Sequence, residues 1–258
     1  EEPPLSGTRG SGTVFFANCN LRCLYCQNYQ ISQNNAAYAA EPGSTAALAD
    51  IMVGLQQGQG CHNINLVTPT HFVPQIVEAL CFAAARGLRL PLVYNTNAYD
   101  SVETLRLLDG VVDVYLPDIK YASNAVAARL SSAADYVERS RHAIGEMYRQ
   151  VGSDLVLNED GTVLRGLIVR HLVLPGGLAG SRESLAWLAR SISTNVTLSI
   201  MSQYHPAHHA RGIPLLSRRV TAEEYRQVVD IAQELGFENI WSQTMEADRH
   251  YLPDFSRD

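Results

Sequence analysis

Three cysteines, Cys19, Cys23 and Cys26, stand at a C-x3-C-x2-C spacing. Thiolates so placed can each ligate one iron of a cubane iron–sulfur cluster. A full 4Fe-4S site takes four thiolates, so three leave one iron open to a ligand that is not protein. Other chemistries compete with this one. A zinc site wants four tetrahedral ligands, and the nearest further candidates, Cys61 and His62, are remote in sequence. A disulfide framework suits small secreted chains with paired cysteines, whereas this chain has five cysteines in 258 residues. Fortuitous core thiols are the remaining reading. The spacing favours the cluster.

Such a loop must be carried by regular elements, and strands and helices alternate along the chain. Short apolar, β-branched runs at 13–16, 63–67, 90–94, 111–116, 167–174 and 196–201 read as strands. They are continuous rather than alternating, as expected when both faces of a parallel sheet are covered. Between them lie runs of helical period. Ser44 caps a helix with Leu48, Ile51, Met52 and Leu55 on one face; Pro74 opens the next and Gly87 follows it. Ser101 or Asp100 caps a third, Val137–Val151 forms a fourth, and Leu185, Leu188 and Ile192 mark a fifth. Thr221 to Glu224 is a capping box for the last. The stretch 120–135, rich in Ala, Ser and Asn, reads as irregular, and Asn158–Gly161 as a turn.

Six βα units in series imply parallel strands with right-handed crossovers. The predicted fold is therefore α/β, a partial (β/α)6 TIM-like barrel in a single domain. Residues 11–240 form the barrel, 1–10 an N-terminal extension, and 241–258 a tail whose Trp241, Tyr251 and Phe255 pack on the barrel or cover one end. Chemistry in such barrels sits at the C-terminal ends of the strands. Those ends carry the cysteine loop, then Thr68-Pro69-Thr70-His71, Asn95-Thr96-Asn97, Asp118-Ile119-Lys120, Arg170-His171 and Gln203-Tyr204-His205. Converging on one face, they make a site for a charged, polar ligand.

From about Gly10 to Gly236 the chain resembles radical S-adenosylmethionine (SAM) enzymes of the pyruvate formate-lyase-activating type. Within that type it resembles poorly characterised relatives in bacteria and archaea. The motifs are the cysteine spacing, Asn95-Thr96-Asn97-Ala98 against Asp-Thr-Asn-Gly, Asp118-Ile119-Lys120 against Asp-Leu-Lys, Arg170-His171 with Pro175-Gly176, and Tyr204-His205. The resemblance implies that Cys19, Cys23 and Cys26 hold a 4Fe-4S cluster whose unique iron binds SAM. It places Tyr25 against the adenine, Asp118 on the ribose hydroxyls, Lys120 and Arg170 on the methionyl carboxylate, and His205 along the adenosine. Asn95 and Asn97 join that set. No catalytic residue is singled out, and His71, His208 and His209 read as solvated or satisfied histidines.

Three positions depart from the pattern. Thr68-Pro69-Thr70 replaces the Gly-Gly-Glu that receives the SAM amine, leaving a hydroxyl of Thr68 or Thr70, main-chain carbonyls or the iron to do so. Asn95 replaces an Asp that helps hold a monovalent cation beside SAM. Asn18 stands where Gly commonly precedes the first cysteine, and Asn tolerates positive φ.

The implied reaction is reductive cleavage of SAM to a 5′-deoxyadenosyl radical that abstracts hydrogen from a substrate. One candidate is a partner glycyl-radical enzyme, another a peptide or small metabolite, and a non-catalytic metal-binding protein is the reading from another class. An electron donor such as flavodoxin or ferredoxin is implied as partner. At 46% hydrophobic and 18% charged, with net charge −6, the chain has a core's worth of apolar residues and no basic stripe for nucleic acid. It shows no membrane span and no secretory signal, and its free cysteines favour the cytoplasm. It opens on Glu1 rather than Met, which leaves room for a leader. Cys81 lies beside Leu80 and reads as a buried, inert thiol.

Overall fold

The computed structural model describes residues 2–33 and 43–245. In chain order the elements are α1 (Pro3–Ser6), β1 (Gly12–Phe15), α2 (Tyr29–Ser32), α3 (Thr45–Gly54), β2 (Ile64–Val67), α4 (Val73–Ala85), β3 (Leu92–Thr96), α5 (Val102–Arg106) and β4 (Val114–Pro117). They continue with α6 (Asn124–Ser131), α7 (Tyr136–Val151), β5 (Val156–Leu157), β6 (Val163–Leu172), α8 (Ser181–Ser191), β7 (Thr197–Met201), α9 (Ala222–Glu234) and β8 (Ile240–Ser242). Seven strands pair in parallel in the order β1-β2-β3-β4-β6-β7-β8, and β5 adds an antiparallel ribbon to β6. Helices cross over between successive parallel strands, and the sheet curls into a partial barrel. Among the described residues β1 and β8 are not paired with each other, so the barrel is open along one side.

The helix starts follow the caps read in the sequence. Ser44 Oγ accepts from Ala47 N, Ser101 Oγ from Thr104 N, and Thr221 and Glu224 close a reciprocal capping box. Between helices and sheet lies the main core, where Leu105, Ile144 and Met147 pack with Leu167, Leu188 and Leu198. A second core joins Met52 and Ile76 to Ile64 and Leu66. Three expectations are corrected. Residues 120–135 are not all irregular: Ser123 caps α6, whose Ala127 and Leu130 are buried. Ile51 faces solvent rather than the core, and Cys81 is exposed on α4. A strand too short to read in the sequence, β8, pairs with β7 and contains Trp241. Tyr251 and Phe255 lie outside the described residues.

The strand period of two divides the barrel interior into layers. Val93, Leu116 and Ile168 face inward low on β3, β4 and β6 and cluster with Leu5 of α1. Two residues on, the same face presents Asn95, Asp118 and Arg170. Helix α1 closes the low end. Its Leu5 carbonyl accepts from Asn63 Nδ2 at 2.7 Å, and the buried Glu2 carboxylate accepts from Ser199 Oγ at 2.9 Å. The strand sequences V-x-N, L-x-D and I-x-R thus place an apolar layer under a polar one.

Candidate functional site

The cysteine loop joins β1 to α2 at the C-terminal end of the barrel. Asn18 takes the left-handed conformation at φ 70 and its N–H bonds Ile31 O. That residue type at that turn fits the demand. The loop is then docked on α6. Arg22 N and Leu24 N donate to Ser131 O and Leu130 O at 2.9 and 2.8 Å, satisfying carbonyls that a helix end leaves without partners.

Each thiol has a polar neighbour of its own. Cys19 Sγ accepts from Leu21 N and Asn97 Nδ2, both at 3.4 Å. Cys23 Sγ accepts from Ser131 Oγ at 3.0 Å, and Cys26 Sγ lies 3.2 Å from Ser32 Oγ. Burial pushes the Cys19 thiol above its ordinary value and the Cys23 thiol up to about 12. Thiols so protonated ionise when a metal cation replaces the proton. Among the described residues no three His, Cys, Asp or Glu side chains converge on a single ion; a cubane spreads its thiolates over separate irons.

Tyrosines fasten the loop and strand ends from behind. Tyr25 is buried, its hydroxyl 2.5 Å from that of Tyr121, which lies 2.6 Å from Ser131 Oγ. Its ring sits 5.8 Å from that of Tyr204. Tyr136 Oη accepts from Lys120 N and lies 2.9 and 2.8 Å from the carbonyls of Asn97 and Asp118. One proton serves both carbonyls, tying the end of β3 to that of β4. Neither Tyr121, Tyr136 nor Ser131 was legible as part of a site, because the roles arise only when α6 and α7 fold back on the strand ends.

Asp118 stands between two cations. Lys120 Nζ donates to one carboxylate oxygen at 2.7 Å and Arg170 Nε to the other at 2.8 Å. Arg170 Nη2 also donates to Asn95 Oδ1 at 2.7 Å. Burial works to raise the Asp118 pKa, but the charges of Arg170 and Lys120 outweigh it and hold the carboxyl below its usual range. For Lys120, burial works downward and the attraction of Asp118 prevails, so its ammonium stays charged. Each carboxylate oxygen keeps a lone pair beyond its one bond. The triad carries one net positive charge.

One cavity of about 450 Å³ connects the three thiols with this triad and reaches down to Glu2 and Leu5. Tyr25, Thr68, Asn95, Asn97, Asp118, Lys120, Arg170 and His205 all line it. Thr70 is set apart: its hydroxyl lies 3.4 Å from that of Thr96, beside the buried carboxylate of Asp100. The Asn97 amide is directed to the cysteine loop, where it bonds Asn20 Oδ1 at 2.8 Å as well as Cys19. Asn65 reads in the sequence only as a strand residue. Its Oδ1 is a buried acceptor in the cavity wall with no partner among the described residues.

A family model described as the radical SAM superfamily matches residues 13–158. This chain belongs to the radical SAM superfamily. The cofactors of that superfamily are a 4Fe-4S cluster and SAM. The chain is 29% identical over 237 residues to an uncharacterized protein of Methanocaldococcus jannaschii, MJ0674, covering 90% of this chain and 64% of that one. Its fold is similar to that of HydG, a maturase of the FeFe-hydrogenase, with a TM-score of 0.59 at 12% identity over 97% of this chain and 56% of HydG. Methylornithine synthase PylB is similar with a TM-score of 0.53 at 14% identity, over 89% and 63% of the two chains. The radical SAM chain described here thus spans less than two thirds of the length of each. No helix among its described residues is long and apolar enough to cross a membrane.

The residues present fit the radical SAM cofactors. Three thiols with hydrogen-bonding neighbours face a cavity whose far wall offers a cationic pair, a carboxylate and an orphaned amide oxygen. One departure has a conformational cost. Ala98 sits at φ 63, where the resembling family has Gly. An L-residue there costs about 1–2 kcal/mol, against about 0.5–1 kcal/mol for the extra freedom glycine loses on folding. Ala98→Gly relieves that strain but gives up a fully buried methyl worth about 0.8 kcal/mol, so the thermal midpoint is expected to stay within about two or three degrees of wild type. A midpoint in calorimetry that falls by clearly more than that would remove the strain argument.

Proposed function

We propose that this enzyme generates its radical next to the open side of the barrel and takes hydrogen from a segment of another polypeptide, in the manner of an activating enzyme. In this reading Cys19, Cys23 and Cys26 hold the cluster. When bound, the reduced cluster supplies the electron that cleaves SAM to methionine and a 5′-deoxyadenosyl radical, which takes a hydrogen atom from the substrate. Arg170 and Lys120 attract the methionyl carboxylate, with Arg170 held in place by Asp118 and Asn95. Asp118 accepts from the ribose hydroxyls through its remaining lone pairs. Tyr25 and His205 flank the adenosine. Asn65 Oδ1 and Thr68 supply neutral acceptors for donors of the bound ligand, in place of the missing glutamate.

The observation that carries the reading is the single cavity shared by the three thiols and the Arg170–Asp118–Lys120 triad. Its volume is at the small end for one cofactor-sized ligand, so a substrate must reach it from outside. The edge of β1, unpaired among the described residues, supports that entry: Phe15 is 44% exposed there and lines the same cavity. An extended peptide can add along such an edge through main-chain hydrogen bonds.

Anaerobic reconstitution with iron and sulfide, then incubation with SAM and dithionite, is expected to yield 5′-deoxyadenosine. Addition of a glycyl-radical enzyme as substrate is expected to give a glycyl radical signal in electron paramagnetic resonance. A protein that takes up zinc but no cluster would overturn the reading. Deoxyadenosine formation that only a small metabolite stimulates would reassign the substrate.

A further inference from the structure

Reductive SAM cleavage, as proposed for this site, needs one electron from outside the chain, and a docking site for its donor rests on that reading. Among the described residues the remaining cysteines, Cys61 and Cys81, lie on different elements, one buried and one exposed. They form no second thiol set, so these residues hold no thiol-ligated relay of their own for that electron.

On the outer side of that loop lies an apolar groove of about 310 Å³, lined by Leu24, Leu130, Leu178, Ile213 and Leu215, with Arg129 in its wall. Leu24 sits between Cys23 and Cys26 and is pinned to α6 through Leu130 O. Leu215 is 52% exposed. The groove is therefore the outer surface of the same loop whose thiols face the cavity.

The segment that supplies Ile213 and Leu215 to its lining is basic, although the chain is acidic overall, at −6. Residues 205–220 contain Arg211, Arg218 and Arg219 and no Asp or Glu. Arg218 pairs with Glu224. Three exposed arginines have no carboxylate partner among the described residues. Arg22 donates to the carbonyls of Cys19 and Ser32, Arg211 donates to Pro206 O, and Arg129 makes no ion pair. Arg129 lines the groove, and Arg22 and Arg211 stand two residues from its Leu24 and Ile213. An apolar patch flanked by charge suits a transient protein interface, and uncompensated positive charge attracts an acidic partner.

We propose that this groove is the docking site for an acidic, one-electron carrier protein. The carrier's carboxylates meet Arg22, Arg129 and Arg211, and its apolar edge seats on Leu215. One electron leaves the carrier, which is oxidised by one, and one electron enters the cluster; no group is transferred. A donor seated there is separated from the thiols by the loop's own backbone and Leu24.

The test uses the reconstituted full chain, with photochemically reduced flavodoxin as the probe and cluster bleaching followed by stopped flow. Leu215→Asp and Arg129→Glu, both at exposed positions, are each expected to slow carrier-driven reduction at least about tenfold. The wild-type rate should fall as ionic strength rises from about 0.05 to 0.5 M, and less so in Arg129→Glu. Dithionite-driven SAM cleavage should be unchanged in both variants. Wild-type carrier rates in both variants would overturn the proposal. So would a dimer that Leu215→Asp dissociates without altering those rates, because the groove then belongs to a second copy. If dithionite fails to drive SAM cleavage in the wild type, the functional reading falls, while bleaching by the carrier still decides the groove.

Discussion

Single replacement of Cys19, Cys23 or Cys26 by alanine is expected to bring reductive SAM cleavage to background, a loss of at least about a thousandfold. Iron bound after reconstitution should fall in parallel. The size of the effect comes from what each thiol does. In the proposed site three sulfurs serve three irons, and no spare thiol stands by: Cys61 is buried beside His62 and Cys81 is exposed on α4. Removing a ligand takes away the electron source rather than a few kcal/mol of positioning. Cys61→Ala and Cys81→Ala are the controls and should retain cluster and activity. Iron content by chemical assay and deoxyadenosine by chromatography check both halves. A fully active Cys23→Ala enzyme would remove the cysteine assignment altogether.

Asp118→Asn is expected to have the second largest effect, on stability and on SAM binding together. The Lys120, Asp118 and Arg170 side chains are 14, 13 and 10% exposed. Neutralising the carboxylate leaves two cations facing each other with little solvent to screen them. Breaking a buried pair in this way costs about 3–5 kcal/mol, which corresponds to a fall in thermal midpoint on the order of 10 °C. The pH dependence has a definite sign. The folded-state pKa of Asp118 is depressed, so the unfolded chain binds the proton more readily. The stabilisation is fully present above the unfolded value of about 3.9. It is lost as pH falls through the lower, folded value. Thermal midpoints measured downward from pH 6 should therefore converge for wild type and Asp118→Asn only below about pH 4. Convergence nearer neutrality would mean that the triad is not the source.

Much of this organisation was legible in residue types and spacing. Long apolar runs announce buried strands, and capping residues announce helix starts, because both are local demands of the backbone. What remained hidden depends on contacts between distant segments. Strand β8 is only Ile240-Trp241-Ser242, too short for periodicity, and exists because β7 offers it an edge. Helix α6 has few large apolar residues, yet its C-terminal carbonyls hold the cysteine loop. Ile51 and Cys81 show the converse, apolar or thiol side chains left outside because the helices turned other faces inward. At the site, the strand-end polar residues were nameable, but their division of labour was not. Asn97 steadies the loop, Thr70 turns toward Asp100, and Asn65 waits in the wall with an acceptor to offer.

The low end of the barrel carries a consequence for how the chamber keeps dry. Its floor is a four-residue helix, held by the Asn63–Leu5 and Ser199–Glu2 contacts and by Leu5 wedged among Val93, Leu116 and Ile168. Trimming the chain past Ser6 would therefore not shorten a loose end; it would pull the cork from the vessel. Solvent would then drain in from beneath, to the very place where, on the proposed function, a primary carbon radical has to find its one intended C–H bond first.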